Sequence, residues 1–319
     1  MEVLERAQWR ERAASHAERI DRYTAPHLAR REARTKHPVF DFLFTYYSYR
    51  PAQLRRWHPG YGVALAGAEE HAGLKGYEVL SASGFEARFA RTSTTDGPVV
   101  EVRGAPAPSL ETTAAVSEAH LASQQVLLTT LHRLLRATAA RPAHLGCFGL
   151  HEWAMVYRQT QDELRHNAWP LRLGSAGTDE VVEGHRIACS HFDAYRFFTA
   201  PARPLNALSP GRDDRDAFEQ PGCLHAGMDL YKHAFRLSPL VSSDLVADCF
   251  ELAWEIRVMD MRAAPYDIAA LGFDPIRIET PEGKREYVDA QRAFTERAAP
   301  LRARLIAECE RLLAVPVAA

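Results

Sequence analysis

Apolar residues recur at helical spacing through much of the second half of the chain. Between 243 and 262, Leu245, Cys249, Leu252, Ile256 and Met259 fall four, three, four and three residues apart, which defines one core-facing stripe. The same reading predicts helices over about 224–237 and 284–313, a long helix from about Glu111 to Thr138 capped by Ser109, and a shorter one starting near His151. The first 34 residues read as one or two charged helices, interrupted near Pro26. Alternation predicts strands in "YEVLSAS", "FEARFAR" and "VVEVRG" within 75–104, with "TTDGP" as a turn, and again in "PLRLG" and "HRIACSHFDAYRFF". Residues 201–222 hold four prolines and two glycines and read as a long loop, a candidate lid. The expected fold is mostly helical α+β, a large helical core with a few antiparallel strands, in a single globular domain over 1–319.

Polar residues that break the apolar pattern mark the candidate chemistry. Asp260 lies within about 20° of the centre of the 243–262 stripe and at the helix C-terminus, where the macrodipole disfavours a negative charge. A buried ion pair with Arg257 or Arg262 and a pocket carboxylate for acid–base work both fit. Asp244, Asp248, Glu251 and Glu255 instead lie about 140° from the stripe and read as a solvated row. In the helix beginning near 111, His120 and Gln124 interrupt a leucine arc one turn apart, as a structural pair or a ligand-reading wall. Helix 224–237 is apolar except for a strip of His225, Asp229, Lys232, His233 and Arg236; His225 and Asp229 are spaced to share a divalent ion. Read as a strand, "IACSHFDAYRF" points His191 and Asp193 inward together, as metal ligands or as an oriented general base. His151 and Glu152 fall on the polar side of a helix whose core face carries Trp153, Val156 and Tyr157.

The segment "KHPVFDFLFTYYSYRPAQLRRWHPG", residues 36–60, has six aromatics between Phe40 and Tyr49. As a helix starting at Pro38 it is apolar nearly all round, save for Asp41, Thr45 and Ser48, so most of its rings are expected in the core. Asp41 is then expected to line an interior pocket walled by Tyr46, Tyr47 and Tyr49. Arg50, Arg55, Arg56 and Trp57 are expected at its mouth, where a phosphate or carboxylate approaches.

Composition narrows the partners. The formal charge is −2. Residues 1–60, however, carry twelve Arg and Lys against seven Asp and Glu, a local +5 that leaves −7 for the rest. A basic face on an acidic molecule is the consequence, or an arginine-rich solvated helix. No apolar run is long enough for a membrane span, and the N-terminus lacks the apolar block of a secretion signal. Five scattered cysteines with no CxxC pair fit reduced thiols and a cytoplasmic setting.

The stretches "HPVFDFLFTYYSYRPAQLRRWHPG", "SHFDAYRFFT", "DMRAAPYD" and "IETPEGKREYV" resemble a family of mid-sized actinobacterial proteins usually labelled 3-methyladenine DNA glycosylase. The resemblance implies hydrolysis of the N-glycosidic bond of an alkylated purine in duplex DNA, without a cofactor. That chemistry needs an aromatic pocket for the extruded base and a carboxylate for the oxocarbenium-like sugar. Asp260, Asp41, His191 and Asp193 are the candidate catalytic groups; Tyr46, Tyr47, Trp57, Arg55, Arg56, His120 and Gln124 are the candidate binding groups. A metal-dependent oxygenase of iron type, acting on a small molecule through His120, His191, His225 and Asp229 or a subset of them, is the alternative. A noncatalytic ligand-binding protein is a third reading.

Overall fold

The computed structural model describes residues 1–80 and 113–316. Among these, there are thirteen α-helices and a small mixed sheet of four strands, and the chain is mostly helical. The helices are α1 (Arg6–Glu32), α2 (Phe42–Tyr46), α3 (Pro51–Arg55), α4 (Glu69–Ala72), α5 (Glu118–Ser123), α6 (Gln125–Ala139), α7 (Leu150–Ala154), α8 (Gly174–Glu183), α9 (Phe192–Tyr195), α10 (Arg215–Phe218), α11 (Leu224–Arg236), α12 (Ser243–Ala263) and α13 (Pro281–Leu313). The strands are β1 (Glu2–Leu4), β2 (Val63–Leu65), β3 (Tyr77–Val79) and β4 (Ala114–Val116), in the order β1-β2-β4-β3. Strand β1 runs parallel to β2, and the other pairings are antiparallel.

Helices α11 and α12 pack against each other, both lean on α13, and α13 also runs along α6. Ser242 starts α12 by accepting a hydrogen bond from the Leu245 N–H. The stripe from Leu245 to Met259 is buried along its length. On the outer side of α12, Asp248 pairs with Arg19 and Arg304, Glu251 with Arg19, and Glu255 with Arg297. That row serves to clamp α1 and α13 onto α12.

Several local readings are corrected. Helix α1 runs through Pro26 without interruption, held by its packing on α3 and α12. The helix expected from Glu111 begins only at Glu118, capped by Ser117, because Ala114–Val116 pair as β4; Ser109 and the segments "FEARFAR", "TTDGP" and "VVEVRG" lie outside the described residues. It also breaks at Gln124, between α5 and α6. The strand expected over 185–198 is a single bridge, Ile187 to Asn206, followed by the short helix α9, and "PLRLG" supplies only the bridge from Leu171 to Tyr266. The aromatic run forms one short helix, α2, rather than a long one from Pro38. Its aromatics have weak helix propensity, and Ser48 turns left-handed at φ 57° directly after it.

The 201–222 loop is pinned rather than free. Asn206 accepts from the Cys189 N–H at 2.7 Å and donates to the Cys189 carbonyl at 2.9 Å, and Glu219 and Gln220 are buried. It delivers Arg215 and Glu219 to the buried charged cluster described below.

Thr280 caps α13 by accepting from the Gly283 N–H, which brings Gly283 against the backbone of Arg277. A Cβ at Gly283 would overlap the Arg277 carbonyl. Gly283→Ala is therefore expected to lower stability by about 3 kcal/mol or more, since backbone cannot move aside as a side chain can. Thermal melting of the variant checks this, and an unchanged midpoint would contradict the packing.

Candidate active site

Beneath the aromatic run, α7, α9, α11 and α12 bring a set of charged side chains into the interior. Asp229, on α11, is its centre and is 2% exposed. A carboxylate taken this far from water must be compensated. Tyr47 donates to it at 3.0 Å, Arg215 at 2.8 Å and Lys232 at 3.1 Å. Lys232 also donates to Asp193 at 2.7 Å, and Arg215 donates to Glu219. Burial would raise the Asp229 pKa, but Lys232 and His191 hold it well below the usual carboxylate range. Burial and Lys232 act in the same opposed way on Asp193, with a net lowering. His191 is fully buried 3.4 Å from Glu219 and 3.5 Å from Asp229, with neither ring nitrogen aligned for a hydrogen bond.

A second group adjoins the first. His151 and Asp260 meet at 3.1 Å, and Arg257 donates to Glu152 at 2.8 Å while lying 3.9 Å from Asp260. Burial would lower the His151 pKa, yet Asp260 raises it well above the usual imidazole value. Glu152 is pulled down by Arg257 and His151 against the opposite pressure of burial. His225 links the two groups, its ring centroid 4.5 Å from that of His151 and 5.3 Å from that of His191. Burial and these two imidazoles hold His225 well below its ordinary pKa, so it stays neutral.

His225, Glu152, Asp193 and Arg257 line a cavity of about 240 Å³ whose aromatic walls are Phe42, Tyr46, Phe197 and Tyr266. Phe42, Arg165 and His166 also line a larger groove of about 930 Å³, so the two spaces meet there. Arg31, Arg34, Lys36, Arg50 and Arg165 line the groove, and none of the five makes an ion pair among the described residues. Among the described residues Asp41 is the groove's one carboxylate, and it is bound by Arg30 and His27.

The candidates read from sequence therefore separate. Tyr46, Asp193 and His225 line the cavity, and Tyr47, His191 and Asp229 stand behind it. Asp260 is buried beside His151 and does not line the cavity itself. Asp41 faces the groove instead of the interior pocket, because Arg30 and His27 draw its carboxylate toward α1. Tyr49 stacks on Phe235 at 3.9 Å and donates to the Lys232 carbonyl. Trp57 is core, Arg55 pairs with Asp21, and Arg56 is exposed, so none of these three stands at the mouth. His120 packs against Gly76, and Gln124 donates to Ser123; neither lines the cavity. Of the expected His225–Asp229 ligand pair, Asp229 is bonded by Arg215 and Lys232, while His225 lines the cavity.

Sequence reasoning set His151 and Glu152 on a polar helix face, whereas both are buried, at 2% and 8% exposed. Helix α7 has only five residues, all buried, so a helical wheel has no face to assign. No family model, curated protein or solved structure matches the chain. The chemistry of the site thus rests on its own residues.

Asp41 offers a direct test of the groove's architecture. Burial would raise its pKa, but Arg30, His27 and the His37 N–H lower it below the ordinary 3.8. A depressed pKa contributes stability above the unfolded value, and that contribution is lost as pH falls through the folded one. Asp41→Asn is expected to cost about 1.5–3 kcal/mol at pH 7. The gap from the parent protein should narrow as pH falls below the ordinary aspartate range. Urea unfolding at neutral and acid pH measures both, and a gap independent of pH would exclude the ion pair as its cause.

Proposed function

We propose that the protein hydrolyses the N-glycosidic bond of an alkylated purine in DNA. The supporting observation is the junction of two unlike spaces at Phe42, Arg165 and His166: an aromatic cavity with ionised carboxylates, and a groove lined by five cations that make no ion pair among the described residues. An alkylated purine carries positive charge on its ring, and the rings of Phe42, Tyr46 and Phe197 offer stacking faces. Asp193 and Glu152, both with lowered pKa, oppose that charge and the oxocarbenium-like sugar that follows it. Neutral His225, on the cavity wall, can orient the attacking water, whose proton passes to solvent as its oxygen bonds to the anomeric carbon. The bond electrons leave with the base. Meanwhile the phosphates lie along Arg31, Arg34, Lys36 and Arg50, where a local positive field outweighs the slightly acidic whole. The resemblance of "HPVFDFLFTYYSYRPAQLRRWHPG" to proteins labelled 3-methyladenine DNA glycosylase supports the same reading.

Two measurements test this. On methylated duplex DNA, abasic sites should accumulate with the parent protein, and Asp193→Asn should slow their release about 100-fold. Replacing Arg34 and Arg50 together by Ala should weaken DNA binding and flatten the slope of log affinity against log salt by about two. If no abasic site forms and binding is insensitive to salt, the proposal fails.

A further inference from the structure

The geometry points to a divalent metal site formed by His151, Glu152 and Asp260 beneath the aromatic cavity, which Glu152 alone of the three lines. One ligand atom from each of these residues lies within 4.8 Å of the others, and all three residues are buried. The 3.1 Å separation of the His151 Nε2 and Asp260 Oδ2 is close to a ligand–ligand edge around an ion with bonds of about 2.1 Å. A separate observation points to a missing ligand partner. The Asp260 Oδ1 is buried with no hydrogen-bond partner among the described residues, although Asp260 is 0% exposed. An unpartnered carboxylate oxygen in the interior is costly, and a cation there would satisfy it.

Arg257 stands next to this set, bonded to the Glu152 Oε1. A carboxylate can meet a guanidinium through one oxygen and an ion through the other. Its charge also sets a limit on the site: two carboxylates and one guanidinium favour a doubly charged ion over a triply charged one. His225, edge-on to His151 with ring centroids 4.5 Å apart, lies outside this set of three and supports it from the next shell. Nitrogen and carboxylate donors together select a first-row divalent ion from manganese to zinc over calcium or magnesium. Because Glu152 and His225 also line the cavity, the bound ion would present a polarised water to whatever occupies it. This ligand set differs from His225 with Asp229, whose carboxylate is already neutralised. It stands on its own geometry, whether or not the cavity takes an alkylated purine.

Elemental analysis of the purified full chain, followed by titration of chelator-treated protein with Zn²⁺, Mn²⁺ or anaerobic Fe²⁺, reads the site without reference to activity. About one equivalent per chain should bind, with a rise in melting temperature. His151→Ala and Asp260→Asn should abolish binding, and His225→Ala should weaken it about tenfold or more. Asp229→Asn, in a variant shown to be folded by circular dichroism, should retain the ion. If the parent protein, which needs no substitution to be tested, binds none of the three ions and its melting is unmoved by them, the site does not exist. Metal binding without abasic-site formation would keep this site and remove the glycosidase reading; abasic-site formation by a protein that binds none of the ions would do the reverse.

Discussion

A single buried carboxylate, Asp229, sets the terms for much of the interior. Its charge cannot be left uncompensated away from water, so the chain must deliver partners from several directions. Tyr47 comes from the end of the aromatic run, Arg215 from the 201–222 segment, and Lys232 from the next turn of the same helix. Once Lys232 is drawn in, it collects Asp193 and so fixes α9. The inward turn of Arg215, the position of Tyr47 after α2 and the placement of Asp193 in the cavity all serve to satisfy one negative charge.

The helical core was legible because its signal is repetitive. Five residues of α12 repeat the same message, and all five are buried. Asp260 stood out for the same reason, as one exception against a long stripe. Short elements carry no such redundancy. The three residues of β1 and the five of α7 are too few to show a period, which concealed His151 and Glu152. Periodicity failed differently at His191 and Asp193, where the predicted strand is a bridge and a turn of helix. Both still reach the charged cluster, because the demands of Asp229 and Lys232 act whatever the backbone conformation.

The charged segment was only half legible. A net positive count in residues 1–60 announces a basic surface, but it does not say which arginines remain available. Arg19, Arg30 and Arg55 are consumed by Glu251, Asp41 and Asp21. Of those with no ion pair among the described residues, Arg31, Arg34, Lys36 and Arg50 lie on either side of Asp41 along the groove, joined by Arg165 from over a hundred residues away. Which cation is spent and which is spare is decided by tertiary pairing, and composition is blind to it.

The cavity is stitched together from distant parts of the chain: 182 residues separate Tyr47 from Asp229, and 105 separate Glu152 from Arg257. Contacts of such range can close only after the intervening loops have given up their entropy, which makes them late events in folding. A nascent chain would carry its polar residues apart and inert until α11 and α12 dock. The chemistry of this pocket is thus coupled to completion of the fold, and a half-built molecule has no fragment of the site to misuse.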